Sequence, residues 1–421
     1  MFRVEQVFDH PRVADRAQAA KDALAGVVDA RSLAGKSVAV TVGSRGIANL
    51  PRIVRGLVEQ LRGWGGKPFI IPAMGSHGGG TADGQLAVLA SLGVTEESVG
   101  APIRSSMETV EVGRADDGFP VVIDKHAAQA DAILILNRVK PHTEFFGPYQ
   151  SGLLKMLLIG LGKHTGARNY HTAATQIPFE RLIRTAAAVV IGKVPILAGI
   201  AIIENAFEQT AHIVGVRPKE FLDVEEELLA LAASYLPGVP YNNIDLLIVD
   251  EMGKNISGAG MDTNVIRRKH WSEPGRGETL EPTAPKRVFV RDLTEATQGN
   301  AAGIGLADFA LKRLADKIDR HKTYINCITS TRPRGAMLPL LFDTDEEAIA
   351  EAVESAGVQD SSQARIVRIR NTLHLLTMEV SQTLEGDLCP GARVRVIAKG
   401  RGLIFDRNGM LVPDKLRVGG D

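Results

Sequence analysis

Apolar residues come in short continuous runs that alternate with longer stretches of helical spacing, and glycine falls where one gives way to the other. Residues 37–42, SVAVTV, are a β-branched run ending in GSRGIANL, after which IVRGLVEQLRGWG places apolar residues three and four apart. The unit repeats at once as PFIIPA, MGSHGGGTADG and QLAVLASLG, where Thr81 and Asp83 are both candidate helix caps. Strand, glycine turn and helix in succession predict an α/β domain built on a doubly wound parallel sheet. The glycine turns then lie at the carboxyl ends of the strands, where such sheets bind ligands.

Two further runs, FPVVID at 119–124 and AILILN at 132–137, predict more strands. They are followed by an expected helix over 176–189, a buried strand in ILAGIAIIEN and an amphipathic helix over 219–235. Pro237 and Pro240 mark a boundary. Beyond it, NIDLLIVDEMGKNISGAGMDTNV reads as a buried strand entering a glycine-rich loop, and RRKHWSEPGRGETLEPTAPKR as a long surface loop. VFVRDL, a helix over 303–317, the run TYINCITS, a helix over 344–355 and RIVRIR then alternate as in a second, smaller α/β unit. The tail RVRVIAKGRGLIFDRNGMLV predicts paired strands turning at 399–402 and at Asn408-Gly409. The expected organisation is therefore an N-terminal domain over 1–240, a smaller C-terminal α/β domain over 241–388, and a β-rich tail over 389–421 that packs back on the body. A length of 421 residues accommodates two or three cores and favours a cleft between domains.

Charge and composition narrow the partners. Lys plus Arg equals Asp plus Glu at 49 each, so no global field draws the chain to nucleic acid or anionic lipid. Cys327 and Cys389 are far apart and in no CxxC pattern, which suits a reducing compartment and reads as structural or incidental. The first residues carry acids and a proline where an export signal needs a basic start and an apolar core. The most apolar stretch, from Thr185, is broken by Lys193, Pro195 and two glycines and is no continuous span of about 20 residues. A cytoplasmic protein acting on a small molecule is expected, with no nucleic-acid or membrane partner; a homo-oligomer is compatible with the sequence.

The chemistry concentrates between Asn137 and His171. His142 follows a proline, Lys155 sits in LLKMLLIGL, and His171 ends the segment. A lysine among leucines loses charge on burial and can present a nucleophilic amine, although Lys155 taken alone fits the wet side of an amphipathic helix better. Neutral imidazoles carry protons near pH 7 and ligate nickel, zinc or iron. GSRG at 43–46 and GSHGGGT at 75–81 place backbone amides where a phosphate can sit, or are tight turns needing positive φ. Arg45 in the first loop could clamp a carboxylate or phosphate, and His77 stands in a loop otherwise stripped of large side chains. The dinucleotide GxGxxG, the P-loop, HExxH and paired CxxC patterns are all absent.

The set GSRGIANL, IPAMGSHGGGTADGQ, SSMETVEVG, NRVKPHTEF, SGLLKMLLIGLGKH and NYH resembles the lactate racemase family, with a family-like pattern continuing in VDEMGKNISGAGMDTNV. The resemblance implies two α/β domains and a nickel-pincer nucleotide (pyridinium-3,5-bisthiocarboxylic acid mononucleotide carrying nickel), used for racemisation or epimerisation at a hydroxyl-bearing carbon. By the same resemblance Lys155 is the lysine joined covalently to the cofactor, and His171, sixteen residues later, is the nickel ligand in preference to His164. His77 and His142 are the two acid/base histidines, and Gly43, Ser44 and Arg45 form the loop that holds the cofactor or a substrate anion. The step from His142 to Lys155 is longer than in lactate racemase, and Asp262, Asn264, Arg267 and Lys269 only approximate its substrate-binding run, which points to a loop reshaped around another substrate and leaves open which carbon is isomerised. Two rivals stand beside this reading. A nicotinamide-dependent dehydrogenase of hydroxy acids needs a dinucleotide fingerprint that PFIIPAMG does not provide, and a non-enzymatic nucleotide- or metabolite-binding protein could use the same phosphate loops.

Overall fold

The computed structural model describes all residues except 45, 117, 144–146, 175, 269–282, 331, 400–401 and 413–421, together with the side chain of His171. Arg45, Lys269 and most of the expected long surface loop therefore lie outside the described residues. The chain divides into two compact units, one formed by Asp9–Leu236 and the other by Met1–Phe8 with Pro237–Asp421. Residues at the start of the chain thus contribute β1 (Phe2–Gln6) to the second unit and not to the first.

The first unit contains β2 (Ser37–Val42), β3 (Lys67–Pro72), β4 (Thr109–Arg114), β5 (Pro120–Asp124), β6 (Ala132–Arg138), β7 (Ile196–Glu204) and β8 (Thr210–Val216). Five of them form one sheet in the order β3-β2-β6-β7-β8. All neighbours in it are parallel except β7 and β8. Both faces are buried, which is why these strands read as continuous apolar runs. Ile133, Ile135, Ala201 and Ile203 enter one hydrophobic cluster, while Leu134, Leu136, Ile200 and Ile202 enter the other. Helices Phe179–Lys193 and Phe221–Tyr235 contribute to the first cluster, Arg16–Ala25 and Leu50–Gly63 to the second.

The run at 119–124 is a strand but does not enter this sheet. It pairs antiparallel with β4 in a separate hairpin. Only seven residues separate Asp124 from Ala132, too few for the crossover of a dozen or more that a parallel neighbour requires. The similarly short link from β7 to β8 makes that pair antiparallel as well.

The second unit adds β9 (Leu246–Val249), β10 (Arg287–Val290), β11 (Phe309–Leu311), β12 (Leu340–Phe342), β13 (Ile366–Ile369), β14 (Thr377–Val380) and β15 (Val394–Lys399). With β1 they form an eight-stranded sheet, β12-β11-β10-β9-β13-β14-β1-β15. The five strands from β12 to β13 are parallel and the remaining pairs antiparallel. Three expectations fail here. The predicted helix over 303–317 is a short turn, then β11, then helix Lys312–Asp316. TYINCITS lies in helix Arg320–Thr329, whose N-cap Asp319 accepts from the Lys322 amide at 3.0 Å and whose buried Thr323 and Cys327 are four residues apart. Among the described residues the tail strand β15 pairs with β1 and not with a later strand, while the expected turn at 399–402 includes residues 400–401, which lie outside the described residues. The turn at Asn408-Gly409 is present, with Gly409 at φ 70°. Among the described residues no helix is long and apolar enough to cross a membrane.

Candidate functional site

Three loops leave the carboxyl ends of β2, β3 and β6; the first two are pinned by side chains from elsewhere in the first unit and the third by its own residues. After β2, Gly43 and Ser44 are half-buried, and the Ala48 amide donates to Glu204 Oε1 at 2.7 Å; Glu204 is ion-paired with Arg138. After β3, the loop 75–80 carries Gly75, Gly78, Gly79 and Gly80 at φ from 59° to 66°, so the tight-turn requirement accounts for its glycines. Gln85, fully buried on helix Ala82–Ser91, donates to the carbonyls of Gly75 (2.9 Å) and His77 (3.4 Å). His77 itself is exposed on this loop. The expected cap at Thr81 is present, its hydroxyl accepting from the Gly84 amide at 3.1 Å.

After β6 the chain goes out and returns as a zipped loop. The Lys140 amide donates to the Ser151 carbonyl (3.0 Å), the His142 amide to Gln150 Oε1 (2.8 Å), and Asn137 Nδ2 to the Gly152 carbonyl (2.7 Å). That closure brings half-buried His142 back toward the helical segment that begins at Leu153.

The segment from Leu153 onward lies beneath the first two loops. A Cβ on Gly43 would stand 3.2 Å from Met156 Cε, and one on Gly160 would stand 2.9 Å from the Ala73 carbonyl oxygen, so both glycines permit a close approach of backbone. The segment starts with a turn over Leu153–Lys155, passes through a π-turn over Met156–Gly160 and continues as helix Lys163–Ala173. Lys155 is half-buried at the junction of the first two pieces. His171 lies on the last helix; its side chain is outside the described residues.

Two buried ionisable groups hold this segment, and sequence reading passed over both. Glu225, from helix Phe221–Tyr235, accepts from the Leu154 amide at 2.9 Å and so caps the turn that carries Lys155. Burial pushes its carboxyl up to about 7, against the pull of the Leu154 and Leu153 amides. Lys163, and not Lys155, is the fully buried lysine. Its ammonium lies 3.0 Å from Asp124 Oδ2 and donates to Gln85 Oε1 at 3.2 Å and to the Pro72 carbonyl. Burial lowers its pKa, and the Asp124 carboxylate opposes that shift. No spacing in the chain announces either contact, because the partners lie 39 to 91 residues away.

His164, expected on the surface, is exposed; its ring comes 3.5 Å from where a Cβ on Gly80 would lie. In the second unit, Arg267 donates to the carbonyls of Val239, Tyr241 and Thr283 and Asp262 caps Thr263–Ile266 through the Asn264 amide, so Asp262 and Arg267 brace their own loop. Among the described residues no group of three or more His, Cys, Asp or Glu could hold a metal ion.

The model of the lactate racemase N-terminal domain matches residues 11–181, a span that includes Gly43, His77, His142, Lys155 and His171. The structure of the lactate racemase apoprotein from Thermoanaerobacterium thermosaccharolyticum aligns over 80% of this chain and 100% of its own, with 12% identity and a TM-score of 0.47. No curated protein matches the chain. Over residues 11–181 the chain is therefore similar to the lactate racemase N-terminal domain.

Proposed function

We propose that this protein is a racemase or epimerase of a 2-hydroxy acid, lactate-like or larger, that works with a nickel-pincer nucleotide at the carboxyl edge of β2, β3 and β6. The observation that carries the reading is the convergence there of the Gly43 loop, the His77 loop and the His142 loop over the segment bearing Lys155. The residues fit the group in kind. A cofactor that brings its own sulfur and carbon donors needs one protein ligand, for which His171 is proposed, so a cluster of three protein donors is not required. Lys155 offers the amine for covalent attachment, and Gly43, Ser44 and Arg45 the loop for the phosphate. A side chain at position 43 would fill the gap to Met156 that the bare backbone leaves.

Bound there, the cofactor would supply a hydride acceptor for a hydroxyl-bearing carbon whose hydrogen is too weakly acidic for an imidazole to remove. His77 and His142, on loops from different strands, each take or return the proton of the substrate hydroxyl, one for each substrate face. Histidine suits both roles because its ordinary pKa of about 6.5 leaves both protonation states accessible.

The protein is to be made in a host that synthesises the cofactor, assayed for nickel and for a covalent mass increment on the peptide containing Lys155, and screened against enantiopure 2-hydroxy acids for loss of optical rotation. His77→Ala and His142→Ala are expected to keep nickel and to lose turnover in both directions by about 100- to 10,000-fold. Undiminished turnover in either variant removes that histidine from the scheme, and a wild-type protein without increment or nickel removes the scheme itself.

A further inference from the structure

Between Lys155 and His171 the backbone cannot be one straight helix if both serve one group. Sixteen residues of α-helix advance about 24 Å and bring the second residue to nearly the opposite face from the first. The chain bends instead: the π-turn over Met156–Gly160 runs into Leu161 and Gly162, and Lys163 opens the next helix at φ 55°. Glycine adopts that left-handed conformation freely, whereas a residue with a Cβ keeps it only where its surroundings compensate.

The compensation here is the side chain. Its ammonium is gripped by Asp124, Gln85 and the Pro72 carbonyl, and each partner belongs to a different element. Pro72 ends β3, Asp124 ends β5 and caps helix Lys125–Ala128, and Gln85 passes the contact on through its amide to the carbonyls of Gly75 and His77. One buried cation thus joins the bend in the Lys155 segment to the glycine loop that carries His77.

We infer that Lys163 is a positioning residue, kept at a left-handed bend because its ammonium locks that bend and, through Gln85, the loop 75–80 into one arrangement. The inference rests on the proposed function only for what the arrangement serves; the lock is a property of the chain alone. An ordinary buried ion pair would brace the whole unit evenly. A lock protects two segments in particular.

Two variants of the full-length chain, made beside the wild type in the cofactor-synthesising host, test this by amide hydrogen exchange together with nickel content and the mass of the Lys155 peptide. Gln85→Met leaves the Lys163–Asp124 pair intact; exchange in the loop 75–80 is expected to rise at least tenfold while 156–163 keeps its wild-type rate. Lys163→Met combined with Asp124→Asn leaves no charge buried and keeps an acceptor for the Ala127 amide. It is expected to raise exchange at least tenfold in both segments and to cut retained nickel at least fivefold, with the mass increment on Lys155 preserved. Wild-type exchange in the loop 75–80 of Gln85→Met, or in both segments of the double variant, overturns the lock, and so does a rise spread evenly over the first unit. A wild-type protein that carries neither nickel nor increment ends the proposed function, while the exchange rates still decide the lock.

Discussion

The two units present the same architectural edge and finish it in opposite ways. In the first, β2, β3 and β6 end in loops rich in glycine and histidine, and the charges that hold those loops lie behind them, on Glu204, Lys163 and Glu225. In the second, β9, β10 and β13 end in charge. Arg291 grips Asp345 through two bonds of 2.8 and 2.6 Å and Asp250 through a third of 2.8 Å, and Arg368 bridges Asp250 (2.9 Å) and Glu379 (3.0 Å). Asp250, Arg291 and Arg368 line a concavity of about 680 Å³, where Arg370 pairs with Glu251 and Lys317 with Asp292. Strand ends on a parallel sheet are natural ligand sites in both units. An edge filled with mutually satisfied ions is committed to its own cohesion, however. An edge of bare turns braced from behind keeps its bracing away from the loop tips.

The largest expected effect breaks the self-held edge. Asp345→Ala leaves Arg291 buried without its bidentate partner and takes the acceptor from the Leu411 amide. It should cost about 3–5 kcal/mol in the second unit, read by urea unfolding with peptide-level hydrogen exchange, while protection in the first unit stays unchanged. A loss shared equally by both units would mean that the two edges are not separately supported.

Next in size is a change at the rear-braced edge. A Cβ on Gly162 would meet the Leu158 carbonyl oxygen at 2.2 Å, so Gly162→Ala forces backbone to shift. It should destabilise the first unit by about 1–3 kcal/mol, and an unaltered melting temperature would show that the turn accommodates a methyl group.

The last effect, the smallest over any one pH unit, concerns Glu225. Its carboxyl is pushed up to about 7 from 4.5, so between those values the folded chain holds a proton that the unfolded chain has released. Stability should therefore be greatest below pH 4.5 as far as this group is concerned, and should fall as pH rises toward 7, by at most about 1.4 kcal/mol per unit. Glu225→Gln should flatten that slope in denaturation curves taken from pH 4.5 to 7.5; parallel wild-type and variant curves would remove Glu225 as its source.

What sequence discloses also differs between the edges. The strands β2, β3, β6 and β7 were legible because burial on both faces writes them as unbroken apolar runs. The strands β11 and β12 are only three residues each, too short to register against their surroundings. TYINCITS misleads because β-branched residues dominate it, while its burial at Thr323 and Cys327 follows a helical step and Ile325 and Ile328 face outward. For the candidate site, motif residues on loops could be named from their neighbours in the chain. Lys163 and Glu225 could not, since their meaning depends on Asp124, Gln85 and Leu154, which only the fold brings to them.

Strand β1 lies between β14 and β15, with Phe2 opposite both Val380 and Lys399. During synthesis its five residues leave the ribosome ahead of both neighbours, which follow at 377–380 and 394–399. Asp9–Leu236 can close on itself in the meantime, as domains made early generally do. Of the two units, the one that holds β1 is therefore the later to be completed during synthesis.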